Sequence, residues 1–164
     1  MTRHRSQRMA DRVALAALLA ASVAAQGLGA WLTSRSVGTW YPTLVKPAWT
    51  PPDWIFGPVW TLLYLLMAVA AWLVWRERAR HPVGPALTLY VVQLILNVAW
   101  SGLFFGLQDP AAGLLGIGVL WVAIVATMTA FWRACRLAAW LLTPYAIWVS
   151  YAVALSWTLW RLNR

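Results

Sequence analysis

Five long apolar stretches without a single charged residue dominate this sequence. They cover approximately residues 13–32, 54–75, 85–107, 111–132 and 137–160, and none contains Asp, Glu, Lys, Arg or His. A helix needs roughly 20 apolar residues to cross about 30 Å of hydrocarbon, so each stretch can span a membrane once. Only 10% of the 164 residues are charged, whereas about a quarter of the residues of a typical soluble domain are charged. We therefore expect an all-α protein of one domain, residues 1–164, built as a bundle of five transmembrane helices in a lipid bilayer.

The first stretch follows a basic N-terminal tail, residues 1–12, with four arginines between positions 3 and 12. An arginine-rich start before an apolar run can be a signal peptide. This run continues to Trp31, past the roughly 7 to 15 residues of a signal's apolar core. We therefore treat it as a retained helix.

If the five stretches each cross the membrane, most Lys and Arg residues lie on one side of it. Nine lie in the N-terminal tail and in the second and fourth connections, and four lie on the other side, namely Arg35, Lys46, Arg161 and Arg164. Because basic residues accumulate in cytoplasmic segments, we predict a cytoplasmic N-terminus and an extracytoplasmic first loop. The rule does not choose between inner and outer membranes. The basic residues form no patch with a recognition element, which argues against nucleic-acid binding.

The first connection carries an unusual run, WYPTLVKPAWTPPDWIFGPVW, residues 40–60. It holds four tryptophans and five of the nine prolines. Residues that precede proline disfavour the helix, so a long, stiff loop is predicted first. Thr50 then suits the N-cap and Pro51 the first turn of the second helix. Pro58 predicts a kink in that helix, beyond which Trp60 and Tyr64 share one face.

The tryptophans fall into two groups by depth. Trp is enriched at membrane interfaces, which accounts for the group near predicted helix ends: Trp31, Trp72, Trp75, Trp132, Trp140, Trp157 and Trp160. A deeper group, Trp60, Trp100, Trp121 and Trp148, can either wall a flat aromatic ligand or pack between helices.

A polar and aromatic stripe in the third stretch has the same two interpretations. Gln93, Asn97, Trp100, Ser101 and Phe104 are three or four residues apart, so they share one helix face. Such a stripe suits an apolar pocket with few polar groups. Alternatively, its amides hold neighbouring helices together.

Conventional catalysis has little support in this sequence. The five stretches contain no carboxylate or histidine to act as a general base, and His4 and His81 lie in the tail and in a loop. Cys135 is the only cysteine and has no neighbouring histidine. We predict no catalytic constellation of the usual kind, no metal site, no axial ligand for haem iron and no obligatory cofactor.

Several motifs in order resemble the TspO/MBR family of tryptophan-rich sensory and translocator proteins. They are WYPTLVKPAWTPPDWIFGPVWTLLY, YVVQLILNVAWSGLFFG, Trp121, and TPYAIWVSYAVALSWTLWRLN, and the resemblance covers residues 13–163. It implies a five-helix membrane bundle, commonly a homodimer, that binds porphyrins such as protoporphyrin IX or haem between its helices. The long first loop would act as a lid over that pocket.

The resemblance also assigns roles to individual positions. It implies a ligand-binding set of Trp40, Pro47, Trp49, Pro51, Pro52, Trp60, Tyr64, Gln93, Asn97, Trp100, Phe104, Trp121 and Trp148. Two of these, Trp60 and Trp148, match tryptophans tied to porphyrin photochemistry. Ala48 departs from the family, since some members carry a further aromatic residue there. Tyr151 has no Lys or Arg within five residues, so the sterol-binding pattern is absent there.

Gly102 and Gly106 form a GxxxG pattern that can bring two helices close together, and we place a dimer interface there. Gly113, Gly116 and Gly118 add a second small-residue surface, which packing within one bundle would equally explain.

The leading hypothesis is a membrane sensor or regulator that binds tetrapyrroles. The alternatives are a light-dependent enzyme that degrades porphyrins and a transporter of tetrapyrroles or other small lipophilic molecules.

Overall fold

The computed structural model describes residues 2–164, with side chains from residue 5 onward. Six α-helices follow one another: α1 (Thr2–Ser34), α2 (Asp53–Arg76), α3 (Gly84–Ser101), α4 (Pro110–Ala134), α5 (Arg136–Leu141) and α6 (Thr143–Leu162). A π-helical turn, Gly102–Gly106, extends α3. With this turn added to α3 and with α5 joined to α6, five segments are long and apolar enough to cross a membrane. The predicted five-helix membrane bundle is confirmed.

Two helix boundaries differ from the sequence prediction. The first helix begins at Thr2 rather than near residue 13, so the basic tail forms its first turns; the side chains of Arg3 and His4 lie outside the described residues. The last span is divided at Leu142 into α5 and α6. Pro144 lies in the first turn of α6, where the N–H that proline lacks would have no helical acceptor.

The prediction that Thr50 caps the second helix is wrong. This helix begins at Asp53 after Pro52, with no side-chain cap. The Thr50 hydroxyl instead donates to the Pro47 carbonyl at 2.8 Å, since a threonine hydroxyl can bond to a nearby loop carbonyl as well as to helix N–H groups. Pro58 lies inside α2 as expected, and the kink it predicts stays a prediction.

By contrast, α4 has the kind of cap expected at a helix start. The Asp109 carboxylate accepts from the N–H groups of Ala111 at 2.8 Å and Ala112 at 3.2 Å. It thereby satisfies two donors that have no partner within the helix. Gln108 adopts a positive φ of 56° just before this cap, and so helps the chain turn from the third span into the fourth.

The helices pack around a core in the middle of the bundle. α1 contacts α2 and α3, α3 contacts α4, α4 contacts α6, and α2 contacts α5. Met67, Ala71 and Val74 of α2 are fully buried at helical spacing, as are Ile117 and Leu120 of α4. Alanines on α2 allow close approach between helices, which is typical of membrane bundles.

Two glycines of α4 also serve packing within this one chain. A Cβ at Gly113 would lie 2.3 Å from Cδ2 of Phe104, and one at Gly116 would lie 2.8 Å from Cδ1 of Leu103. The α4 backbone therefore packs directly against the end of the third span. A Cβ at Gly118 would meet nothing within 4 Å.

The first loop, residues 35–52, folds back over the end of the bundle. It contains a short 3-10 turn, Tyr41–Thr43, whose Tyr41 packs in a buried cluster with Phe104, Leu155 and Leu159. The Ser36 hydroxyl donates a short hydrogen bond to the Phe105 carbonyl. These contacts fix the loop above the ends of α3 and α6.

Candidate functional site

A cavity of about 300 Å³ lies beneath the first loop, between the loop-side halves of α1, α2, α3 and α6. Aromatic and aliphatic side chains supply most of its wall, with hydroxyl and amide groups between them. Its lining residues are Gln26, Gly29, Ala30, Thr33, Ser34, Val37, Tyr41, Asp53, Phe56, Gly57, Trp60, Tyr64, Asn97, Trp100, Ser101, Phe104, Phe105, Ala152, Leu155, Ser156 and Leu159.

Aromatic rings in contact with one another form one wall of this cavity. The Trp60 ring centroid lies 6.2 Å from that of Trp100, with 35° between the planes, and 5.9 Å from that of Tyr64. Trp100 stacks in turn on Phe104 at 6.1 Å and 26°. Rings at these distances attract one another and form a continuous aromatic surface, in which the Trp60 plane is tilted against that of Trp100.

A hydrogen-bonded triad contributes Tyr64 and Asn97 to the polar part of the wall. The Tyr64 hydroxyl donates to Oδ1 of Asn97 at 2.9 Å, and Nδ2 of Asn97 donates to the Tyr145 hydroxyl at 2.9 Å. All three side chains are buried. A buried amide bonded on both sides keeps a fixed orientation, because rotation would leave polar atoms without partners.

Charged groups occur only toward the loop side of the site among the residues whose side chains are described. Asp53, in the first turn of α2, lines the cavity, and Nζ of Lys46 lies 4.2 Å from the Tyr41 ring centroid. Burial, and to a lesser extent the nearby Asp53 carboxylate, raises the pKa of Tyr41 to about 12. The phenol is therefore neutral at physiological pH.

A second hollow, which we call the outer groove, runs between α2 and the α5–α6 segment. It measures about 700 Å³ and is lined by Pro51, Val59, Leu62, Leu63, Trp140, Thr143, Pro144, Ile147, Trp148 and Tyr151. Phe56 lines the cavity, and its ring centroid lies 5.9 Å from that of Trp148 in the groove. The Phe56 ring is therefore placed between the two hollows.

The TspO/MBR family profile matches residues 15–161. The chain belongs to the TspO/MBR family. It is 45% identical to the tryptophan-rich protein TspO of Chlorobaculum tepidum over 136 residues, 82% of this chain and 86% of that protein. Against TspO of Archaeoglobus fulgidus it is 40% identical over 149 residues, 91% and 96% of the two chains. The human translocator protein is 38% identical, covering 85% of this chain and 86% of its own length.

Five of the positions that the TspO/MBR resemblance assigns to the ligand come together in the cavity: Trp60, Tyr64, Asn97, Trp100 and Phe104. The remaining eight lie outside its lining. Trp148 and Pro51 line the outer groove instead.

Four of the six others lie in the first loop. Trp40 packs edge-on against Phe104 at 5.5 Å, and Trp49 packs against Tyr151 at 5.6 Å. Pro47 and Pro52 belong to the first loop and line neither hollow.

Gln93 and Trp121 are held by other helices. Nε2 of Gln93 donates to the Met67 sulfur at 3.4 Å within the core. The Trp121 indole N–H donates to the Ser150 hydroxyl at 2.8 Å, and Trp121 is 39% exposed.

The part of the cavity that α1 supplies was not predicted from the sequence. Gln26, Gly29, Ala30 and Thr33 line it, at the spacing of one helix face. That small and polar stripe resembles the one noted in the third span, so the signal was present in the sequence. Phe56 and Phe105 were also missed, because ring orientation depends on the tertiary fold.

The two glycines assigned to a dimer interface lie in the π turn. A Cβ at Gly102 would lie 3.7 Å from Cδ1 of Leu32 on α1, and one at Gly106 would meet nothing within 4 Å. Gly102 thus faces a helix of its own chain, and the dimer stays a prediction.

Proposed function

We propose that this membrane protein binds tetrapyrroles such as protoporphyrin IX or haem in the cavity beneath its first loop and acts as a sensor or regulator. The wall of Trp60, Trp100 and Phe104 is the observation that carries the proposal. A flat, conjugated macrocycle can stack on such a wall, gaining dispersion contacts and area burial without polar partners. Among its relatives, one from Cereibacter sphaeroides is named a tryptophan-rich sensory protein.

The polar groups suit the edges of such a ligand. Porphyrins of this class carry carboxylates at one edge, and the Lys46 ammonium beside Tyr41 supplies a cation at the loop side. Asn97 and Ser101 provide hydrogen-bonding groups in the wall. A mostly apolar pocket with a few placed polar groups is typical of small-molecule sites, whose volumes are about 300–1,000 Å³.

We further propose that the cavity faces the extracytoplasmic side. The cavity lies at the end of the bundle that carries the first loop, and the distribution of Lys and Arg supports an extracytoplasmic position for that loop. Ligand would then reach it from the outer aqueous phase or the outer half of the bilayer.

A titration of the purified protein with protoporphyrin IX tests the proposal through quenching of tryptophan fluorescence. Replacing Trp60 by Phe should weaken binding about two- to tenfold, the range that one aromatic contact supplies. Trp132→Phe is the matched control, because Trp132 pairs with Trp140 and lines neither hollow. Absence of quenching in the parent, or an equal loss in both variants, would refute the proposal.

Light-dependent degradation is a second candidate, supported by the rings around Trp60. Trp100, Tyr64 and Tyr145 all have ring centroids within 6.2 Å of the Trp60 ring, so several oxidisable groups border one site. Illuminating the titrated sample should then yield a new absorbing product that depends on the protein. Bleaching at the same rate with an unrelated membrane protein would exclude this activity.

Transport predicts porphyrin flux into sealed vesicles, and binding without flux would count against it.

A further inference from the structure

Asn163, just after α6, joins the C-terminal end of the chain to the first loop. Its Oδ1 accepts from the Val45 N–H at 2.9 Å, and its Nδ2 donates to the Val45 carbonyl at 3.0 Å. The same Nδ2 donates to the Leu159 carbonyl at 2.8 Å. A primary amide has two N–H donors, and here both are used. One side chain therefore caps α6 and binds both backbone groups of Val45.

A second contact from α6 holds the same part of the loop. The Tyr151 hydroxyl donates to the Trp49 carbonyl at 2.7 Å, and the two rings pack edge to face. Between residues 45 and 50, the other hydrogen bonds found within residues 2–164 join Thr50 to Pro47 inside the loop. Hydrogen bonding of this segment to the rest of the bundle thus depends on the side chains of Tyr151 and Asn163.

Val45 is the neighbour in sequence of Lys46, which contacts a residue of the cavity wall. Lys46 follows it directly, and its ammonium lies over the ring of Tyr41, which lines the cavity. Pro42 and Pro47 flank this segment and restrict its backbone, so displacement of Val45 should carry Lys46 with it. A chain of contacts through Val45, Lys46 and Tyr41 therefore links Asn163 to the cavity wall.

We propose that Asn163 is a latch that positions the first loop over the cavity and limits the rate of ligand exchange with the aqueous side. Asn163 does not line the cavity, so it is a positioning residue. Opening the loop at this point breaks the two Val45 hydrogen bonds while the aromatic wall remains intact. The proposal rests on the proposed function, since it concerns the same cavity.

Stopped-flow fluorescence with protoporphyrin IX tests the latch in the parent, Asn163→Ala and Asn163→Asp. In Asn163→Ala, loss of the Val45 bonds should raise the association and dissociation rates together by about tenfold, with little change in Kd. Asn163→Asp keeps an acceptor for the Val45 N–H and loses both donors, so its rates should be intermediate. Thr158→Ala is the matched control, because that hydroxyl donates only within α6, to the Ala154 carbonyl. Parent rates in Asn163→Ala would overturn the proposal.

Amide hydrogen exchange of residues 43–49, measured without ligand, separates failure of the latch from failure of the porphyrin hypothesis. Asn163→Ala should exchange at least several-fold faster there, and Thr158→Ala should exchange as the parent does. Unchanged protection in Asn163→Ala overturns the latch even if porphyrin binds. Faster exchange in a protein that binds no porphyrin would refute the tetrapyrrole proposal and support the structural role of Asn163.

Discussion

Replacing Gly113 by Ala should push the third and fourth spans apart at the cavity wall. The new Cβ would lie 2.3 Å from Cδ2 and 2.9 Å from Cβ of Phe104, whereas ordinary contact begins at 3.4 Å. Rotation of the Phe104 ring could relieve the contact with Cδ2. It could not relieve the contact with Cβ of Phe104, because that atom is fixed to the backbone of the π turn. Backbone movement of this kind costs about 1–3 kcal/mol.

Gly118→Ala is the control, since a Cβ there meets nothing within 4 Å. Both variants gain the same helix propensity, at most about 1 kcal/mol, so the difference between them isolates the clash. In thermal unfolding of the solubilised protein, Gly113→Ala should melt about 2–12 °C below Gly118→Ala. Protoporphyrin affinity should also fall only in Gly113→Ala, because Phe104 lines the cavity. Equal melting temperatures would refute the packing argument.

Three further predictions concern the triad, the loop and the far end of the bundle. Asn97→Leu leaves two buried tyrosine hydroxyls without their partner and should lower the free energy of unfolding by about 1–3 kcal/mol or more, measured by thermal unfolding. Because the pKa of Tyr41 is raised to about 12, its contribution to stability should be complete below about pH 10, its unfolded value, and lost as the pH rises through 12. In Tyr41→Phe this loss should be absent from a pH series of unfolding curves. Asp11 and Arg78 form a partly exposed ion pair at 2.7 Å, so Asp11→Asn should cost less than about 1 kcal/mol, with the effect disappearing in 1 M salt.

The spans could be predicted from the sequence because membrane helices follow from local composition. An uncharged run of about 20 residues has few alternatives to a spanning helix, since backbone polar groups in lipid need internal partners. The same argument cannot detect the division at Leu142, where both flanking segments are apolar. It also cannot find the helix start at Asp53. The Thr50 hydroxyl could either accept from a helix N–H or donate to a loop carbonyl, and in the structure it donates to the Pro47 carbonyl.

The cavity was predictable only in part, for a related reason. Helical spacing correctly placed Asn97, Trp100 and Phe104 on one face, and that face borders the cavity. Which helices supply the opposite wall depends on packing between segments far apart in the sequence. The contribution of α1 and the latch between Asn163 and Val45 are both contacts of this long-range kind.

Phe56 lines the cavity together with Trp60, and it packs against Trp148 of the outer groove. We therefore expect its ring to keep the cavity, which Trp60 lines, apart from the outer groove, which Trp148 lines. A ligand confined to the cavity would contact Trp60 but not Trp148. Trp148→Phe should then leave protoporphyrin binding unchanged, while Trp60→Phe weakens it. Equal losses in both variants would mean that Phe56 swings aside and joins the two hollows when the ligand binds. A photochemical mechanism that uses both tryptophans requires that movement, and therefore predicts that Phe56→Ala retains porphyrin degradation under light.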